Sequence, residues 1–252
     1  MEFDIENFEF LNLFYEQMNE FVNCSYDEII NFFSTNEICK LEWGEKEKAV
    51  FLILNKYFFQ NVAAFFELIN LGLCFPAFNA LRSAIENMRL TRAFFLNEEF
   101  RLKYTNNKNI DFRNEPDYNF VQKKVNEILD KDEKTTRSQD LIPVCISLYN
   151  HHLTKGSMIS EIHSELSKWS HSLNSNLLLS TSLYNNRISM NLYNELTIPI
   201  QMYIKKYLEF IYILINHHLE IFINFSFSKK FRNYKNEMIK QYDKYIELFY
   251  KN

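Results

Sequence analysis

Two long apolar segments joined by a very short connection constrain the fold of this chain more than any other feature. The first segment, residues 45–71, is acidic in its first turn and is followed by Gly72, the residue type that most often ends an α-helix. The second, residues 76–96, opens with Pro76, which is favoured at the start of a helix. Because only residues 73–75 separate the segments, we predict two antiparallel helices that form a long αα-hairpin at the centre of the fold.

The composition agrees with a helical protein. The 252 residues include only 3 glycines and 4 prolines, too few for the many tight turns of an all-β fold. Hydrophobic residues make up 47% of the chain and aromatic residues 17%, which excludes a disordered chain. We therefore predict the all-α class: a single domain over residues 1–252, with a core bundle over about 45–225 and amphipathic N-terminal and C-terminal helices packed on it.

Outside the hairpin, apolar residues recur with helical periodicity. Residues 2–23 form an amphipathic pattern, and Ser25 with Glu28 has the spacing of a capping box that would start a second, short helix over 27–33. The same periodicity predicts further helices over residues 118–129, 143–153, 157–171, 197–225 and 231–249.

One stretch departs from helical periodicity. Residues 177–193 alternate weakly between apolar and polar side chains and contain a turn-like asparagine pair, residues 185–186. We predict a small β-hairpin or an extended flap there.

Charge and cysteine usage exclude several classes of protein. The formal net charge of −4 gives no overall basic field for non-specific nucleic-acid binding. The cysteines are scattered without Cys-x-x-Cys spacing, so neither a zinc site nor a disulfide framework is indicated. Polar residues such as Lys56 and Glu67 interrupt the apolar segments, and the first residues lack the pattern of a signal peptide. We expect a cytoplasmic protein that does not contact a membrane.

The second helix of the hairpin carries a narrow polar stripe made of Asn79, Arg82, Glu86 and Arg89. Apolar side chains flank the stripe on both sides, so its charges should be partly desolvated, which is costly unless they are paired. Arg82 and Glu86 are four residues apart and can pair with each other. Two interpretations stay open: an ion pair that fixes helix register, or a polar pocket in the core of the bundle.

A second candidate lies at the end of the predicted helix 157–171. His171 shares a helical face with Ser167 and precedes a polar loop. A histidine in this place can simply complement the helix dipole. It can also serve as a general acid or base.

Together the two candidates resemble a known pattern. A helix containing Ala-Leu-Arg82-Ser-Ala-Ile-Glu86, followed about eighty residues later by Leu-Ser167-x-x-x-His171, is similar to HEPN-like all-α bacterial proteins that include abortive-infection and toxin components. The likeness spans residues 72–171. It implies a helical bundle that dimerises, and in many members a metal-independent ribonuclease of phage defence or toxin–antitoxin systems. It also implies that Arg82, Glu86 and His171 converge in one pocket.

The chain departs from the usual HEPN ribonuclease motif, in which a histidine follows an arginine by four to six residues on one helix; none of the six histidines here does. Cleavage would therefore need a composite site. Arg82 would hold the phosphate, His171 would move the proton and Glu86 would orient one of them. Asn79, Arg89 and Ser167 would line the ligand.

The expected partners follow from the same resemblance: RNA or a nucleotide as ligand, a second copy of the chain in a homodimer, and a partner protein from a defence or toxin–antitoxin system. The alternatives are a non-catalytic helical scaffold and a sensor of an anionic, nucleotide-like ligand.

The other histidines do not show metal-binding spacings. Residues 151–152 and 217–218 are adjacent pairs, and neighbours on a helix point in different directions. His163 lies between Glu161 and Glu165 but has no matching partner motif in the sequence. We therefore expect neither a metal nor a cofactor.

Overall fold

The computed structural model describes residues 5–35, 37–106, 118–136, 141–146, 149–170, 182–184, 187–189, 198–222 and 227–250, and these residues form an α-helical bundle. The helices, in chain order, are α1 Ile5–Ser34, α2 Glu45–Asn70, α3 Cys74–Leu96, α4 Glu98–Asn106, α5 Tyr118–Thr136, α6 Lys155–Ser170, α7 Ile198–Leu219 and α8 Lys229–Tyr250. Short 3-10 turns lie at Ile38–Lys40 and Glu220–Phe222.

The αα-hairpin predicted at the centre is confirmed. Gly72 follows α2 with a φ of 70°, a left-handed conformation that costs glycine little and other residues more. Its N–H donates to the carbonyl of Ile69 at 2.9 Å, and the N–H of Leu73 donates to Leu68 at 2.8 Å. These two bonds complete a Schellman motif, which turns the chain directly from α2 into α3. The helix α3 begins at Cys74, so Pro76 lies within the first turn, where no N–H is required.

The predicted break in the N-terminal helix is wrong, because α1 runs through it without interruption. Ser25 is buried inside the helix, and its hydroxyl donates to the carbonyl of Phe21 at 2.7 Å. A serine can satisfy its hydroxyl in this way within a helix as well as at a cap. Glu28, the other half of the supposed capping box, instead accepts hydrogen bonds from Ser228 at the far end of the chain.

The predicted helix over 143–153 is also wrong. Strands β1 Leu141–Ile146 and β2 Tyr149–Thr154 form an antiparallel hairpin, with Pro143 opposite His152. Ile142, Val144 and Ile146 recur at alternate positions, and β-branched residues in that pattern favour a strand over a helix. A second hairpin pairs β3 Ser182–Tyr184 with β4 Arg187–Ser189, in the stretch where the sequence predicts a hairpin or a flap.

The helix α3 is central to the bundle and packs against α2, α4, α5, α6 and α7. The first and last helices lie on this assembly, with α1 in contact with α2, α7 and α8. Aromatic rings fill much of the interior; the largest fully buried apolar side chains include Phe14, Phe21, Phe51, Phe58, Phe65, Phe66, Phe78, Phe94, Tyr207 and Phe210. In the described part of the chain, α2 alone is long and apolar enough to span a membrane, a criterion that core helices of soluble proteins also meet.

A buried ion pair ties α4 to the start of α2. Arg101 Nε donates to Glu47 Oε1 at 2.7 Å, and its guanidinium lies 4.3 Å from the ring centre of Trp43. The second oxygen of Glu47 accepts the N–H of Gly44 at 2.8 Å, which caps α2. One glutamate therefore caps a helix and anchors its neighbour.

The N-terminus of α8 is capped by Ser228, whose hydroxyl accepts the N–H of Phe231 at 3.0 Å and donates to Glu28 on α1. Replacing Ser228 by alanine should lower the free energy of unfolding by about 1 kcal/mol, the usual cost of losing such a cap. Urea denaturation followed by circular dichroism measures this. Ser228→Thr keeps the hydroxyl and should stay near wild type, whereas Ser228→Asp places a second carboxylate against Glu28 and should fail as a cap. An unchanged Ser228→Ala protein would contradict this role.

Candidate functional site

A single carboxylate oxygen joins the polar stripe of α3 to α6. Glu86 Oε1 lies 3.1 Å from Arg82 Nη2, one turn earlier on the same helix. The same oxygen lies 3.2 Å from Nε2 of His163 on α6. An arginine, a glutamate and a histidine therefore meet across the α3–α6 interface; we call these three residues the Glu86 cluster.

The hydrogen bonds of the Glu86 cluster assign the proton on the histidine. An ionised carboxylate can only accept, so Nε2 of His163 carries a hydrogen and donates it to Glu86. In the neutral ring, Nδ1 then has a lone pair and can accept a proton from a third group. A carboxylate behind a histidine also holds the ring in one orientation, as in other acid–base sites.

The cluster is partly open to solvent. Arg82, Glu86 and His163 have 26%, 23% and 27% of their side-chain surface exposed. Within the described residues, the buried Nε of Arg82 has no hydrogen-bond acceptor. The site thus combines a cationic donor, a fixed carboxylate and an imidazole at a depth that water and small groups can reach.

Two further predicted ligand residues, Asn79 and Arg89, lie on α3 on either side of the Glu86 cluster. Arg89 Nη2 donates to Asn126 Oδ1 at 2.8 Å and so ties α3 to α5. Asn79 lies exposed near the start of α3. The polar stripe is therefore divided: its middle serves the α6 interface and its end serves α5.

The sequence predicts that Ser167 and His171 lie at the end of the helix that also carries His163. The Ser167 hydroxyl donates to the carbonyl of His163 at 2.8 Å, a bond within α6. His171 lies outside the described residues, so its convergence with Arg82 and Glu86 stays a prediction.

The sequence shows no matching metal-ligand motif for His163, and the structure places this histidine in contact with Glu86 instead. Spacing supplies part of the signal: His163, Ser167 and His171 recur every four residues and so share one helical face, although the spacing does not say which of them meets Glu86. Any helix that turned Ser167 toward α3 would therefore turn His163 toward it too.

A second polar network, which the sequence analysis missed, lies on the side of α6 that faces α7. The ammonium of Lys206, fully buried, donates to one oxygen of Glu165, and the hydroxyl of Tyr207 donates to the other at 2.8 Å. Trp169 Nε1 donates to the Tyr207 oxygen at 3.0 Å. Burial, and then the charge of Glu165, raise the pKa of Tyr207 well above its ordinary value. This network fixes α6 on α7 and thereby the direction in which His163 faces.

A third cluster repeats the composition of the first. Glu220 Oε2 lies 3.0 Å from His217 Nδ1 and 3.6 Å from Arg92 Nη1, at the junction of α3 with the end of α7. Arg92 and His217 are each only 13% exposed, about half the exposure of their counterparts in the Glu86 cluster. Glu220 itself is 31% exposed, so the reduced access concerns the guanidinium and the imidazole, the two groups that would have to reach a substrate, and it favours a structural tie here.

Within the described ranges, no group of three or more His, Cys, Asp or Glu side chains is placed to hold a metal ion. The chain matches no family model, no curated protein and no solved structure in the comparisons with known proteins.

Proposed function

We propose that the protein is a HEPN-like, metal-independent endoribonuclease whose site is built on the Glu86 cluster. The observation that carries the proposal is the shared oxygen of Glu86, 3.1 Å from Arg82 and 3.2 Å from His163. It joins a cation for phosphate to an oriented imidazole for proton transfer, the two groups that phosphodiester cleavage needs when no metal takes part.

The proposed reaction uses the 2′-hydroxyl of the RNA as nucleophile. Nδ1 of His163 accepts the hydroxyl proton while the 2′-oxygen forms a bond to the adjacent phosphorus. The bond from phosphorus to the 5′-oxygen breaks, and that oxygen receives a proton to become a hydroxyl. The products are a 2′,3′-cyclic phosphate and a 5′-hydroxyl end.

Each residue of the cluster has a distinct role in this reaction. Arg82 faces the non-bridging oxygens, whose negative charge grows in the transition state. Glu86 holds the Nε2–H tautomer of His163 and stabilises the imidazolium that forms. His171 keeps its proposed role as a proton-transfer residue and would protonate the leaving 5′-oxygen.

Single substitutions test the proposal on a labelled RNA in the presence of a metal chelator. His163→Ala should slow cleavage by about 10²–10⁴-fold, the usual contribution of a positioned acid or base. Arg82→Ala should slow it by about 10²–10³-fold through lost charge stabilisation. Glu86→Gln keeps an acceptor for His163 but not the charge, so it should show a smaller loss.

The third cluster supplies a matched control. His217→Ala removes a histidine that also pairs with a glutamate beside an arginine, yet cleavage should stay near the wild-type rate. His171→Ala is measured separately, and slower cleavage by this variant supports the role of His171 as the general acid. Wild-type rates in both the Arg82 and His163 variants, or no cleavage by the wild-type protein, would contradict the proposal.

Binding of an anionic, nucleotide-like ligand without turnover is a second candidate function. The buried Nε of Arg82, which has no acceptor among the described residues, favours it, because an anion would satisfy that donor. Nucleotides should then raise the thermal midpoint of the wild-type protein but not of Arg82→Ala. A non-catalytic scaffold predicts neither cleavage nor ligand-dependent stabilisation.

The resemblance to HEPN-like proteins supports the proposed setting: a cytoplasmic homodimer that acts with a partner protein in defence or a toxin–antitoxin system. Light scattering on the purified chain tests the dimer. Expression in a bacterial host, with growth and total RNA followed together for wild type and His163→Ala, tests the toxic activity.

A further inference from the structure

The end of α7 holds a histidine in a closed aromatic slot. His218 is 1% exposed, and its ring stacks on Phe58 of α2 at 4.0 Å between centroids. Phe59 meets the ring edge-on at 5.6 Å. Phe222, in the 3-10 turn that follows α7, lies 6.2 Å away and stacks on Phe51 of α2. The slot therefore joins the end of α7 and its 3-10 turn to α2.

The hydrogen bonds of this slot admit only a neutral ring. Asn55 Nδ2 donates to the carbonyl of Phe51 at 2.7 Å, which leaves Asn55 Oδ1 as an acceptor. His218 Nε2 lies 2.8 Å from Oδ1 and must carry the hydrogen. The buried Nδ1 of His218 has no partner among the described residues. A second proton would place an N–H there without an acceptor, at a large cost in desolvation.

The charges that act on His218 also oppose its protonation. His217 on its own helix and Arg92 on α3 bring positive charge, while Glu220 of the 3-10 turn pairs with both of them. From α2, the slot receives the Asn55 amide and the rings of Phe58 and Phe59, none of which carries a charge. Burial first, and then these two cations, lower the pKa of His218 to about 3.

We propose that His218 is an acid-sensitive latch, which holds the 3-10 turn Glu220–Phe222 on α2 when neutral and releases it when protonated. The closed form binds this proton only near pH 3, whereas a released ring binds it near the ordinary value of 6.5. The open form is therefore favoured as the pH falls below 6.5, by about tenfold for each pH unit until the lower pKa is reached. Neutral pH keeps the latch closed.

Hydrogen exchange measured at pH 7 and pH 5, corrected for intrinsic rates, tests the latch. In the wild-type protein, the opening equilibrium of residues 219–222 should rise by about 25-fold between these conditions. Protection of the Gly72 turn and of the α2–α3 hairpin should change little. A similar fall in the protection of the α2–α3 hairpin would overturn the proposal, because the lower pH would then destabilise the whole fold.

Variants separate His218 from other titrating groups. His218→Gln keeps an amide N–H within reach of Asn55 but cannot gain a charge, so the opening equilibrium of residues 219–222 should no longer depend on pH. His217→Gln removes the neighbouring imidazole, and in this variant the opening equilibrium should still depend on pH. Equal pH dependence in wild type and His218→Gln would refute the latch.

Nitrogen NMR of the histidine rings in the wild-type protein gives a measurement that needs no variant. The ring of His218 should show a protonated Nε2 and an unprotonated Nδ1 that do not change between pH 7 and pH 5 in the closed form. A titration of this ring near 6.5 in the folded protein would overturn the proposal.

Discussion

Replacing Glu165 by leucine should lower the free energy of unfolding by about 3–5 kcal/mol, the range measured when one partner of a buried ion pair is removed. Lys206 is fully buried on α7, and its ammonium contacts a Glu165 oxygen. Without that carboxylate, the buried ammonium loses an anionic contact and the Tyr207 hydroxyl loses its acceptor. Urea denaturation followed by circular dichroism gives the change.

Two further variants identify the physical cause. Glu165→Gln keeps an acceptor for Tyr207 but removes the charge, so it should be strongly destabilised if the charge of Lys206 dominates. The double variant Glu165→Leu/Lys206→Met removes both charges and should recover most of the stability, because apolar side chains often replace a buried pair without loss. A double variant no more stable than Glu165→Leu would contradict this explanation.

The network also bears on the proposed activity. If the network fixes the direction of His163, the double variant should cleave RNA more slowly than wild type even where it regains its stability. Wild-type cleavage by the folded double variant would show that packing alone orients α6.

Truncating Phe51 to alanine should lower the free energy of unfolding by about 3–5 kcal/mol, the usual cost of a large cavity in a rigid core. Phe51 is fully buried on α2 and stacks on Phe94 and Phe222 at centroid distances of 6.3 and 5.6 Å. Trp43 meets its edge at 5.2 Å. The ring thus contacts elements before and after α2, and none of them can fill the space alone.

Tyr57, on the same helix, is the matched control for this truncation. Its side chain is 51% exposed, so Tyr57→Ala should change stability by no more than about 0.5 kcal/mol. Thermal and urea denaturation of both variants provide the comparison. Similar losses in the two variants would mean that the ring cluster around Phe51 is not the centre of the core.

Local sequence signals were sufficient to predict the central hairpin. Gly72 and Pro76 act within one turn of their own positions, and the apolar periodicity on either side is a property of each helix alone. The same kind of signal failed at Ser25, because a serine followed by Glu28 is compatible with a cap and with a helix interior. Packing of α1 along α2 and α7 decides between them.

The candidate site could likewise be predicted from the sequence only in part. Arg82 and Glu86 are four residues apart, so their pairing follows from helix geometry and could be predicted. The choice of His163 as their partner depends on how α6 is rotated and shifted against α3. The spacing of residues within either helix does not determine that arrangement. The resemblance to HEPN-like proteins indicates His171 instead, which shares a helical face with His163 but comes two turns later in the sequence.

By itself, the sequence determined the helical class, the α2–α3 hairpin and the Arg82–Glu86 pair, because each depends on neighbours within a few residues. Only the tertiary structure decided that Glu86 accepts a hydrogen bond from His163, that Lys206 is buried against Glu165 and that His218 is enclosed beside Asn55. These contacts join residues on different helices. The cost of desolvating polar groups makes such pairing necessary, but the packing of the whole bundle selects the partners.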